Sequence, residues 1–187
     1  MVESENRLKT ELASDGSLYE GYPQQIRELH LRQANALESI IETHGWPGIS
    51  MVGKEGAEAA WLVLQHSISR PDFMKKCFPL FERAVQDNEA SIKHLSCLVD
   101  GIRYFSRQPQ IYGNYFDWNE KGKFRPWDIE DPENVNERRK QAGLNTLEER
   151  IKEMEAEVRS NNLSPPEDYL KRQSEMLEFL REVGWLA

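Results

Sequence analysis

The stretch Ala57-Glu-Ala-Ala-Trp-Leu-Val-Leu64 constrains this chain more than any other. It lies in a helical run of about Lys54–Ser67 that has almost no polar face, and a helix apolar on all sides has to be buried. Such a helix needs others to cover it. About Pro23–Thr43 repeats Ile26, Leu29, Leu37, Ile40 and Ile41 at helical spacing, then meets Gly45 and Pro47 as stop signals. Ser69-Arg-Pro-Asp72 reads as the start of a helix to about Gln86, with Phe73, Cys77, Leu80, Phe81 and Val85 inward. Another helix is expected over about Ala90–Phe105, with Ile92, Leu95, Leu98, Val99 and Ile102 inward.

The period then changes. Gln110–Trp118 is aromatic and rich in strand formers, Asn119-Glu-Lys-Gly122 is a turn signal, and Phe124–Ile129 is a second extended run. This predicts one β-hairpin over about 110–129, with Pro126 on an edge strand and Gly113 at a bulge or close approach. Asp131-Pro132 signals a short helix with Asp131 as N-cap. Thr146-Leu-Glu-Glu149 and Ser164-Pro-Pro-Glu167 each have capping-box spacing, so two charged helices should follow, the last ending near Gly184. The expected fold is mainly α, a multi-helix domain around a buried central helix with one small β-hairpin. Residues 1–21 read as a lead-in with a short helix near Ser4–Ala13, residues 22–145 as the helical core, and 146–187 as a charged helical pair packed on the same domain.

Charge and composition exclude whole classes of function. A net charge of -8 opposes general binding of nucleic acid or anionic membrane. The apolar run around Leu64 falls far short of the ~20 residues of a membrane span. A polar, charged start and two cysteines, Cys77 and Cys97, placed within apolar helical patterns point to reduced core thiols and a cytoplasmic setting. No P-loop, dinucleotide-binding, nucleophile-elbow or zincin motif occurs, and no cofactor or metal is expected.

The residues with chemical potential are few. His44 ends the first helix, where an imidazolium suits the helix dipole. Gln65 and His66 end the most apolar helix, so they form either a core hydrogen-bond network or a ligand site. His30 and His94 sit among charges and read as solvated. Asp100 and Arg103 stand at i, i+3, either as a surface ion pair or as a carboxylate and guanidinium aimed into a pocket. Gln110 and Tyr112 would share one face of a strand.

Taken in order, His44-Gly-Trp-Pro47, Val52-Gly53, Gln65-His66, Leu98-x-Asp100, Gln110-x-Tyr-Gly113 and Arg125-Pro-Trp-Asp-Ile-Glu-Asp-Pro-Glu-Asn-Val135, continued by Arg138-Arg139 and Gly143-Leu144, form a pattern. Over about residues 25–150 it resembles a bacterial domain-of-unknown-function family with G-W-P, Q-H, L-x-D-R and Q-x-Y-G-T-Q motifs. The resemblance implies a shared site and names no reaction. The chain departs from that pattern with Gly101 in place of Arg, and with Asn114-Tyr115 in place of Thr-Gln.

Two functions are consistent with these residues. The first is a polar small-molecule pocket lined by His44, Gln65, His66, Asp100, Gln110 and Tyr112, with Arg103 standing in for the missing guanidinium. If hydrolysis or group transfer occurs there, His66 or His44 would act as acid or base, with Asp100 orienting it. The alternative is a non-catalytic interaction module. In it the polar residues serve the core, and a protein partner is met through the acidic C-terminal helices and Trp118, Trp127 or Trp185.

Overall fold

The computed structural model describes residues 23–187, and the helix expected near Ser4–Ala13 lies outside them. The expected fold class holds: helices dominate, and among the described residues the strands form a single two-stranded antiparallel hairpin. The chain divides after Ala90 into two compact units, the second spanning Ser91–Ala187.

In the first unit, α1 (Gln24–His44), α2 (Ile49–Gln65) and α3 (Pro71–Gln86) contribute Leu37, Leu64, Phe73, Met74, Cys77 and Phe81 to the core. Burial in α2 falls on Ala60, Trp61, Val63 and Leu64, whereas Met51 and Val52 near its start are exposed. Gly53 explains the contrast. Its φ of 72° and ψ of 173° break the helix, so the opening turn and the apolar segment follow different paths. Glu89 holds that turn: its carboxylate accepts from Ser50 N at 2.7 Å, and its carbonyl from Ile49 N at 3.1 Å. His30 is buried and stacks on His66 with ring centroids 4.8 Å apart, which corrects its reading as solvated. It continues the inward stripe Ile26, Ala34, Leu37 and Ile41, and position on that stripe outweighs the charges beside it in sequence.

The second unit starts with α4 (Ile92–Phe105), whose N-cap Ser91 accepts from Lys93 N. Strands β1 (Phe116–Trp118) and β2 (Phe124–Pro126) pair with Phe116 opposite Pro126 and Trp118 opposite Phe124. Asn119 shapes the turn by accepting from Lys121 N and Lys123 N. A short 3-10 turn, Pro132–Asn134, leads into α5 (Val135–Gln141). Then come α6 (Leu147–Ser160), with the expected capping box between Thr146 and Glu149, and α7 (Tyr169–Val183), closed by Gly184 at φ 92°. Aromatic rings fill the interior: Tyr104 stacks on Tyr115 at 5.1 Å, and Phe105 lies 5.5 Å from Trp185. Trp185 is therefore a core residue and not part of a partner surface.

Three local expectations need correction. The first extended run is strand only from Phe116, and the second only over Phe124–Pro126; residues 110–115 form a loop that meets the chain beyond β2 through a parallel bridge, Gln110 to Ile129, and a bond from Trp127 N to Tyr115 O at 2.9 Å. Asp131 and Pro132 take the expected N-cap and first positions, but of the 3-10 turn and not of α5, and Asp131, at φ 48°, makes no side-chain cap: its carboxylate accepts from the Asn134 and Arg138 side chains. The last helix is capped by Asp168, which accepts from Lys171 N at 2.9 Å, and not by Ser164. Pro165 and Pro166 supply no N–H to a cap, and Asp168, two residues past them, does the work.

Candidate functional site

Asp100 organises the loop that precedes the hairpin. It points inward from α4, fully buried, and its carboxylate accepts three backbone N–H bonds: Ile111 at 2.8 Å, Tyr112 at 3.0 Å and Asn114 at 2.9 Å. Gly113, between the last two, takes φ 72° to bring them round, and a Cβ there would lie 2.8 Å from Ile129 Cδ1. The carbonyls of the same loop are held from the other side. Arg138 Nε donates to Ile111 O at 2.8 Å, and the buried Arg139 donates from Nη1 to Tyr112 O at 2.7 Å and from Nε to Asn145 O at 2.7 Å. Gln110, also fully buried, donates from Nε2 to Tyr115 O and Trp127 O and accepts from Tyr115 N at 2.7 Å. Most polar groups of the loop backbone are thus paired, as buried backbone demands. Burial pushes the Asp100 carboxyl above its ordinary value, against the pull of its N–H donors and of Arg139.

The sequence-predicted residues fall into two groups by unit. In the second, Asp100, Gln110 and Tyr112 come together in this clamp. Tyr112 contributes its peptide group, and it does not share a strand face with Gln110. Arg103 makes no ion pair with Asp100; it donates to Pro109 O and pairs with Glu130. In the first unit, His44 is exposed at the end of α1, while Gln65 and His66 are half-buried at the end of α2, with His66 against His30. Among the described residues no group of three or more His, Cys, Asp or Glu could hold a metal ion. Cys77 is buried and Cys97 half-buried, and desolvation pushes Cys77 up to about 12 and Cys97 up to about 11, well away from nucleophilic thiolates.

A concave surface lies elsewhere in the second unit. A groove of about 460 Å³ runs along the hairpin, lined by Trp118, Asn119, Arg125, Trp127 and Asp128 and by Tyr169 at the start of α7. Its base is fixed by ion pairs from both charged helices. Arg172 of α7 donates to the buried Asp117 at 2.5 Å, and Arg125 reaches Glu155 of α6 at 2.6 Å. Tyr104 donates its hydroxyl to Asp117 at 3.4 Å; burial first, then the Asp117 charge, raises its pKa well above the ordinary tyrosine value. Arg107 lies over the Trp127 ring at 4.3 Å and donates to Gln173. Sequence reasoning placed Trp118 and Trp127 on a partner surface and missed Tyr169, Arg138 and Arg139 as positioned groups. The Arg138-Arg139 pair beside a Gly-Leu helix stop was the signal available for the last two.

The profile of a family of unknown function, DUF6624, matches residues 9–160. The chain belongs to this family. The family match takes in the whole clamp and the hairpin and stops at the last residue of α6, so Tyr169 and Arg172 of the groove lie beyond it. No curated protein and no solved structure matches the chain. Among the described residues no helix is long and apolar enough to cross a membrane.

Proposed function

We propose that the protein is a small-molecule-binding protein whose ligand seats in the hairpin groove, and that Asp100, Arg103, Gln110 and Tyr112 serve the site by fixing the loop that leads into the hairpin. One observation carries this reading. Asp100 and Gln110 spend their hydrogen-bonding capacity on backbone groups, whereas aromatic rings and charged side chains meet around a concavity of ligand size. The chain's departures from the resembled motif pattern support it. A Cβ at Gly101 would lie 2.6 Å from the Tyr115 hydroxyl, so Tyr115 occupies the space that a longer residue at position 101 would enter. The glycine and the tyrosine compensate for each other, and the interior beside α4 is packed. On this reading His44, Gln65 and His66 serve the first unit's structure.

A thermal-shift screen of metabolites separates this from the histidine-centred pocket, because a ligand of the folded state raises the melting temperature. The expected ligand stabilises the wild type and the His44→Ala and His66→Ala variants by the same increment, and loses its effect on Trp118→Ala. A ligand whose effect survives Trp118→Ala and vanishes with either histidine overturns the proposal.

A further inference from the structure

We infer that the group recognised by the hairpin groove is an organic cation, an ammonium or guanidinium. This deepens the groove reading and rests on it. Trp118, Trp127 and Tyr169 line the groove, and the faces of such rings attract cations through their quadrupole, tryptophan most strongly. Trp127 already holds one cation, the Arg107 guanidinium.

The charges point the same way. Asp117 and Arg125 are each matched by a partner of opposite sign, Arg172 and Glu155. That leaves the exposed Glu120 and Asp128 against Lys121 on the groove itself. The adjoining depression adds Glu167 and Asp168 beside Tyr169 and Leu170, with no further cation among its lining residues. An aromatic wall with an excess of carboxylates at its rim is complementary to a cation and repels phosphates and carboxylates. The cation could be carried by a free amine or by a Lys or Arg side chain of a peptide, and the volume suits either a small molecule or one side chain.

Isothermal titration calorimetry of the full chain in low salt reads this out with probes of different charge. Tetramethylammonium and arginine amide represent free cations, an oligolysine peptide represents the protein-borne form, and tert-butanol and phosphate are the neutral and anionic controls. Cationic probes are expected to saturate and to weaken as salt rises. Binding should fall at least tenfold in the exposed-residue variant Glu120→Gln/Asp128→Asn, whose melting temperature should match the wild type, and disappear in Trp118→Ala. Preference for the free amines supports a small-molecule cation; preference for the peptide keeps the cation at the groove and overturns the small-molecule reading. Equal or tighter Trp118-dependent binding of tert-butanol or phosphate overturns the cation while leaving the groove as the site. If no probe gives saturable binding that depends on Trp118, the cation is overturned; the metabolite screen then decides separately whether the groove itself stands.

Discussion

Two polar regions of the second unit, the Asp100 clamp and the hairpin groove, use similar residues for opposite purposes. In the clamp, a carboxylate, an amide and two guanidiniums are taken up by peptide groups of one loop and of the segments beside it. Along the groove, carboxylates and rings line an open concavity, and ion pairs secure only its base. Chemical character alone therefore does not separate a site from a scaffold; what separates them is whether the hydrogen-bonding capacity is already used.

The largest effect should come from the clamp. Asp100→Ala strands three buried N–H groups and is expected to cost about 3–5 kcal/mol, lowering the melting temperature by roughly 10 °C in a chain of this size. A loss under 1 kcal/mol in denaturant titration would show that the loop does not depend on this carboxylate. Asp100→Asn should cost less and also change the pH profile. Since burial raises the folded-state pKa above the ordinary 3.8, the folded chain holds this proton more tightly than the unfolded chain. The favourable linkage contribution is then complete below the unfolded pKa and fades as pH rises through the folded one. Asparagine has no such proton, so the variant's deficit should be largest at acid pH and shrink towards neutrality. A deficit that grows with pH would reverse that sign.

An intermediate effect should come from Gly101→Ala, which forces a methyl against the Tyr115 hydroxyl at a cost of about 1–3 kcal/mol. Adding Tyr115→Phe should recover part of the loss, and a double-mutant cycle that shows strict additivity would break the compensation argument. The smallest effect belongs to the groove. Trp118 is half-buried and packs edge-on against Phe124 at 5.2 Å, so Trp118→Ala should cost about 1 kcal/mol. A melting loss as large as that of Asp100→Ala would place Trp118 in the scaffold and erase the contrast.

Much of the fold was legible because its signals are local. The capping box at Thr146, the turn at Asn119 and the stops at Gly45 and Gly184 each act within a few residues, and each appears where expected. The clamp was not legible in the same way. Residues 110–115 are strand formers by composition, yet a carboxylate ten or more positions earlier takes their N–H groups and denies them to a ladder. His30 failed for a related reason: its neighbours in sequence are charged, but its neighbours on the helix face are core residues. Asp100 itself was singled out correctly as unusual for its position, although its partners proved to be peptide groups. The groove was invisible beyond its tryptophans, because Tyr169 and Arg172 arrive from a helix more than forty residues further along the chain.

The clamp also bears on how freely this protein can be re-sequenced. Asp100 grips peptide N–H groups, which every amino acid except proline carries. The path of the loop is therefore written in α4, in Gln110 and in the Arg138-Arg139 pair of α5; of the side chains at 111, 112 and 114, Asn114 adds one bond, from Nδ2 to Ser96 Oγ at 3.3 Å. A library that randomises those three positions should yield folded proteins for most substitutions other than proline. The loop's outward surface can change from one variant to the next while the peptide trace beneath it stays the same.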